Sequence, residues 1–294
     1  MTYRFVDAER ASYAVAMLCR VLRVSRSGFY AWLSRNPSDR DIADGLLGAL
    51  IHQIHAESDG TYGVPRIHAD LRRRGVRVSR RRVSRLMRRQ GLEGVSRRKR
   101  RRTTVRDETK PKAPDLVGRD FFAVEGPNRL WLADITYVPT WEGFLYLAIV
   151  EDTWSRKIIG WAMRSTLEAE LVVDAVGMAI TARRPDPGVI HHSDAGSQYT
   201  STVFGRTLRD SGILQSMGTV GDPYDNAACE SAIATIKTEL VHRRSFHTRD
   251  QARLGVFHYI EAWYNPRRIH SSLGYQTPIE YEEAHQERKP ETVH

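Results

Sequence analysis

A chain of 294 residues with 41% hydrophobic content is long enough for two or three packed modules and too apolar to be disordered. Two distant cysteines, Cys19 and Cys229, exclude a disulfide framework and a cysteine-rich zinc finger. The formal net charge of +10 favours a polyanionic partner.

No stretch approaches the length of a membrane span, and MTYRFVDAER at the amino terminus has no signal-peptide core. A reducing cytoplasmic setting is expected, with no membrane partner. The charge is uneven: residues 1–110 carry 26 Lys+Arg against 11 Asp+Glu, whereas residues 111–294 are mildly acidic. That split suggests a binding arm joined to a catalytic body.

Along the chain, Val15, Leu18, Cys19 and Leu22 fall at helical spacing. Ser25 can cap a second helix through Leu33, with Phe29, Trp32 and Leu33 facing inward. The segment fits a helix-turn-helix and a plain helical hairpin about equally. Residues 61–92 repeat the arrangement. Pro65 opens a helix with Ile67 and Leu71 inward, and Gly75 ends it. Ser79 caps the next, which buries Val83, Leu86 and Met87, and Gly91 ends that one. Its outer face carries Arg81, Arg85 and Arg88, with Arg80, Arg82 and Arg89 beside them. Repulsion of this density is costly without an anion, so DNA contact is expected over a merely solvated face. The run Arg97, Arg98, Lys99, Arg100, Arg101, Arg102 follows. It would grip phosphates with little sequence choice, though a nuclear-localisation signal has the same composition. Thr103 to Pro114 reads as a linker.

From about residue 118 the pattern becomes α/β. Strands are expected at 129–139, 143–153 and 157–164, the spacing of an antiparallel meander. A helix at 168–183, a short strand at 189–192, a helix at 201–210 and a strand at 213–217 follow. The loop from Gly221 leads to Asn226, a plausible cap for a helix over 227–243, and a last helix spans 249–263. The order β-β-β-α-β-α-β-α is that of the ribonuclease H-like fold.

Three carboxylates stand out: Asp134 in a strand, Asp194 just past a strand, and Glu230 on a helix. Lys237 lies two helical turns beyond Glu230 on the same face. Hard oxygen ligands so placed suit a pair of Mg²⁺ ions for phosphodiester chemistry. Asp134 resists a surface-charge reading best, because a carboxylate amid Trp131, Leu132, Ile135 and Val138 is costly unless paired or metal-bound. Asp152, Asp222, Asp225 and Glu239 are rival acids. His191 and His192 read as a structural pair, and Cys229 as packing.

The chain resembles the OrfB-type transposases of the insertion-sequence-three group, relatives of retroviral integrases. The resemblance runs through CRVLRVSRSGFYAWL, YGVPRIHADLRRRG, WLADITYVPT, HSDAGSQYTS, GDPYDNAACESAIATIKTEL and YNPRRIHSSLGYQTP in order. It implies Asp134, Asp194 and Glu230 as the catalytic, metal-binding triad, with Mg²⁺ as cofactor and Mn²⁺ able to substitute. It implies Lys237 as a contact to the element's end. It implies nicking that frees a 3′-OH, which then attacks a second phosphodiester. The partners implied are double-stranded DNA (terminal inverted repeats and target), further copies of the chain, and an upstream OrfA-type protein or fusion. The expected organisation is a helix-turn-helix at 1–40, a second basic one at 41–96, a linker at 97–117, a ribonuclease H-like integrase core with a mixed five-stranded sheet and flanking helices at 118–282, and a tail at 283–294. A structure-directed nuclease of the same fold and a catalytically dead DNA-binding regulator are the rival functions.

Overall fold

The structure is a computed structural model that describes residues 2–95, 126–217 and 223–286, with the backbone alone for 223–230 and 286. The basic run Arg97 to Arg102 and the whole of the expected linker, residues 97–117, lie outside the described residues.

The chain begins with three short helices, α1 (Thr2–Glu9), α2 (Val15–Val21) and α3 (Arg26–Leu33). They close on a small core of Val6, Leu18, Cys19 and Phe29, with Tyr3 and Trp32 against it. Ser25 caps α3 by accepting the Gly28 N–H at 3.0 Å. Leu33, expected to face inward, is instead exposed, because α3 ends there and its aromatic side chains fill the core first.

Helix α4 (Asp39–Glu57) was not legible from the sequence, although it is the longest of the described helices. Ser38 caps it, accepting the Asp41 N–H and donating to the Asp41 carboxylate. It packs with α5 (Val64–Arg73) and α6 (Arg80–Arg89) around Leu47, Ile51, Ile54, Ile67, Leu71, Val83, Leu86 and Met87. Gly75 and Gly91 terminate α5 and α6 with left-handed φ of 80° and 67°, where a side chain would be strained.

The body is one five-stranded sheet in the order β3-β2-β1-β4-β5. Strands β1 (Leu130–Thr140), β2 (Gly143–Asp152) and β3 (Lys157–Arg164) form the expected antiparallel meander. Strands β4 (Ile190–Ser193) and β5 (Leu214–Met217) add in parallel on the other side of β1. Alternation along β1 splits the core. Trp131 and Ala133 pack on one face with α7 (Ala169–Arg183) and α8 (Thr202–Asp210). Val138 joins Leu147 and Ile149 on the other, beneath α9 (Pro223–Glu239) and α10 (Arg249–His258).

Helix α9 starts at Pro223, so Asn226 lies within its first turn and does not cap it. Pro at a first helical position needs no N–H partner, which allows the earlier start. A 3₁₀ turn then takes residues 241–243. The last expected helix breaks into α10 and a π-helical turn, Tyr259–Tyr264. Helix α11 (Pro278–Gln286) closes the described chain, tied down by Glu282 to Ser155, Lys157 and Arg183. Among the described residues no helix is long and apolar enough to cross a membrane.

Small residues set the distance between α7 and the sheet. A Cβ on Gly160 would stand 2.2 Å from the Ala175 carbonyl oxygen and 2.8 Å from the Ala179 nitrogen. Gly160→Ala should therefore cost about 2 kcal/mol or more through overpacking. A urea titration checks this: the midpoint should fall with the slope unchanged.

Candidate active site

The parallel register of β1 and β4 brings two of the expected carboxylates level. Leu130, Trp131 and Leu132 stand opposite Ile190, His191 and His192. Two residues further along each chain come Asp134 and Asp194. Asp134 is half-buried within β1, whereas Asp194 is exposed in the turn just beyond β4. Asp194 thus follows the carboxyl end of β4, and Asp134 stands level with it in mid-β1, just past the stretch where the two strands pair in parallel. The strand order reverses between β1 and β4, the place where open α/β sheets bind ligands.

Each carboxylate is aimed by a local hydrogen bond. Asp134 Oδ1 accepts the Ile135 N–H at 2.7 Å. Asp194 Oδ1 accepts the Gly196 N–H at 3.1 Å, an Asx turn. A Cβ on Gly196 would come within 3.0 Å of that same oxygen, so glycine keeps the turn open around the carboxylate.

Glu230 belongs to α9, which packs on β1 through Ile233 and Ile236 against the face that carries Val138. Its side chain lies outside the described residues. Among the described residues no three metal-ligating side chains converge. Lys237 follows on the same helix, half-buried, with Nζ 5.3 Å from the centroid of the Tyr137 ring. That cation–π contact to β1 was not foreseen, since Tyr137 is an ordinary strand residue by pattern.

The rival acids that the structure describes are engaged elsewhere. Asp152 is fully buried and accepts N–H groups from Asn128 and Trp154. Burial lifts its carboxyl to about 6. Glu239 is ion-paired to Arg268. Asp222 and the side chain of Asp225 lie outside the described residues. The histidine pair sits in the core. His191 packs edge-on against Phe204, and His192 Nδ1 meets Ser216 Oγ at 3.0 Å.

On the helical half, the arginines of α6 divide. Arg82 and Arg85 close on the buried Asp44 of α4 at 2.8 and 2.6 Å. Hydrogen bonds from Arg85 and Arg82 hold that carboxylate below its usual range. Internal pairing thus relieves part of the repulsion expected to need an external anion. Arg80, Arg81 and Arg88 line a shallow groove with Val64 and Ser84, which Arg85 also borders. Arg89 sits in the last turn of α6.

Comparison with known proteins gives the family of the chain. Two families described as Integrase core domain match residues 124–223 and 211–278, and one described as HTH-like domain matches residues 41–100. A transposase for insertion sequence element IS629 from Shigella sonnei is 40% identical over 285 residues, 95% of either chain. Transposase InsF for insertion sequence IS3A from Escherichia coli K12 is 38% identical over 96% of this chain and 98% of its own. Among solved structures, the catalytic core domain of BIV integrase matches with 20% identity and a TM-score of 0.40, over 55% of this chain and 98% of that one. The protein belongs to the insertion-sequence-three family of transposases. Its body is the ribonuclease H-like integrase core, and its α4–α6 region lies within the HTH-like match.

The core position of His191 has a consequence for pH. Burial pushes its imidazole from 6.5 down to about 4. The unfolded chain therefore binds the proton first. Stability present above about pH 6.5 should drain away as pH falls towards 4. Urea midpoints across that window should show a shallower acid loss in His191→Gln than in the wild type; identical slopes would remove His191 as the cause.

Proposed function

We propose that this transposase uses Asp134, Asp194 and Glu230 as one metal-binding triad to nick the ends of its insertion sequence and to join the freed 3′-OH to target DNA. The observation that carries the reading is the level placement of Asp134, in mid-β1, and Asp194, just past the end of β4, with α9 packed alongside. The donor chemistry fits Mg²⁺, or Mn²⁺ in its place. The two described members offer hard carboxylate oxygens, and the neighbouring imidazoles are turned into the core. Mg²⁺ held there would supply Lewis-acid polarisation of the phosphate and offset charge on the leaving oxygen.

The protein's own residues do the positioning. Asp134 is fixed by the strand that both halves of the sheet share, and Asp194 by its Asx turn. Glu230 approaches from α9. Lys237, propped on Tyr137, holds a phosphate of the element's end beside the carboxylates. Arg80, Arg81 and Arg88 contact the duplex backbone along α6, with Arg82, Arg85 and Arg89 adding to the local field. The run Arg97 to Arg102 adds further phosphate contacts. The proposed DNA partners are the terminal inverted repeats and the target duplex. Joining two ends calls for more than one copy of the chain. An upstream OrfA-type partner or fusion would complete end recognition. The proposed setting is the bacterial cytoplasm, on the nucleoid.

Labelled duplexes ending in the element's terminal repeats, incubated with Mg²⁺ or Mn²⁺, test the reading. Wild type should give nicked and longer joined products. Asp134→Ala and Glu230→Gln should lose both by a factor of about 10³ or more, with DNA binding retained. With the OrfA-type partner also supplied, nicking without joining would indicate a nuclease, and metal-independent binding without product a regulator. Either would overturn the proposal, as would full activity in Asp134→Ala.

Lys237→Gln removes a phosphate contact and should weaken binding of the end duplex by about tenfold. The slope of log affinity against log salt should also fall by about one. An unchanged salt slope would exclude a direct phosphate contact.

A further inference from the structure

Glu239, the last residue of α9, joins three parts of the chain. Arg268 grips its carboxylate with two N–H donors, Nε to Oε2 at 2.9 Å and Nη2 to Oε1 at 2.7 Å. Tyr259 donates its hydroxyl to Oε2 at 2.8 Å. The third part is the helical module: Arg66 Nη1 of α5 stands 3.8 Å from Oε1. Arg268 is 2% exposed and Glu239 6%. Burial raises the Glu239 carboxyl, but the Arg268 hydrogen bonds outweigh it and the net displacement is downward, so the group is ionised.

Arg66 is itself anchored at both ends. Its Nε donates to the Ile269 carbonyl at 3.2 Å, and its guanidinium lies over the Tyr62 ring at 5.6 Å. The Tyr62 hydroxyl accepts the Ile269 N–H at 2.9 Å and faces the Arg267 carbonyl at 3.4 Å. Helix α5 is thus docked on residues 267–269, the same segment that clamps the end of α9. Packed against α5 is α6, with its groove of arginines.

A buried ion pair adds little net stability relative to a well-packed apolar alternative, because desolvation offsets the attraction. What this one does fix is geometry. We propose that Arg66 is a positioning residue: through Glu239 and Arg268 it holds α9, with Glu230 and Lys237, in fixed relation to the DNA-gripping helices. Reaction at a bound DNA end then depends on this joint, whereas affinity for DNA does not. The proposal rests on the reading of Glu230 as a catalytic carboxylate, but the joint itself is testable without that reading.

The experiment compares full-length wild type, Arg66→Gln, Arg66→Lys and Glu230→Gln on the end duplex. Cleavage at saturating DNA, dissociation constant and amide exchange along α9 are measured together. Arg66→Gln should cut cleavage about tenfold with affinity within about twofold, the signature of misplacement and not of lost binding. Amides of residues 231–239 should exchange about tenfold faster, with the β1–β3 meander unaffected. Arg66→Lys, which keeps the charge beside Glu239, should recover most of both. Unchanged α9 exchange in Arg66→Gln overturns the proposal. So does acceleration spread evenly over both modules, or a cleavage loss matched by weaker binding. Wild-type cleavage in Glu230→Gln would instead sink the catalytic reading, and the exchange data would still decide the role of Arg66.

Discussion

Strand β1 is held on one side by an antiparallel partner and on the other by a parallel one, and the position of the candidate site follows from that seam. A parallel neighbour cannot be reached by a hairpin; the chain must leave the sheet and return. It does so through α7, and the return delivers Asp194 beside Asp134. Register is fixed because both faces of β1 are covered. A slip of one residue would turn Asp134 into the packing under α7 and push Trp131 or Ala133 to the other side. The same apolar contacts that stabilise the sheet therefore decide which way the carboxylate points. The close approach of α7 at Gly160 belongs to this constraint, since it sets how far the crossover helix stands from the strands it connects.

Charge is used in two regimes. On α6 it is exposed, dense and only partly compensated by Asp44, which leaves a cationic groove suited to a mobile polyanion. In the core it is buried and paired. Glu151 meets Arg156 and the Tyr264 hydroxyl, Glu239 meets Arg268, and Glu282 meets Lys157 and Arg183. These internal pairs lie along the path from the β2–β3 hairpin through the π-helical turn to α11. That path is short of regular secondary structure, so paired charges with directional geometry do there what strand ladders do in the sheet.

The strands were legible because period-two alternation with β-branched and aromatic residues is a strong signal, and β1 to β3 fall within one or two residues of expectation. Helix α4 was not. Ile42 and Leu46 are exposed while Asp44 is buried, so its apolar residues do not trace one stripe. The level placement of Asp134 and Asp194 was suggested by motif but depends on a parallel register that no local pattern specifies. Glu239 illustrates the limit most clearly. In sequence it is one more acid on a helix. Its role depends on Arg268 and on Arg66, the latter 173 positions earlier in the chain, and spacing carries no trace of such a pairing.

The contrast between a basic front half and an acidic back half suggested an arm attached to a body. The contacts of Tyr62, Arg66 and Arg73 with residues 267–280 alter that picture. The α4–α6 core even includes Ile269, with Trp263 and Tyr275 packed against it, so the two halves share apolar surface as well as ion pairs. A tethered arm would grip DNA independently of the catalytic centre and leave the scissile phosphate to diffusion within reach of the linker. A docked helical module instead sets the distance from the arginine groove to Asp134 and Asp194. Under the proposed function, selection of the bond to be cut becomes a matter of rigid geometry, and the phosphate grip needs little sequence preference of its own.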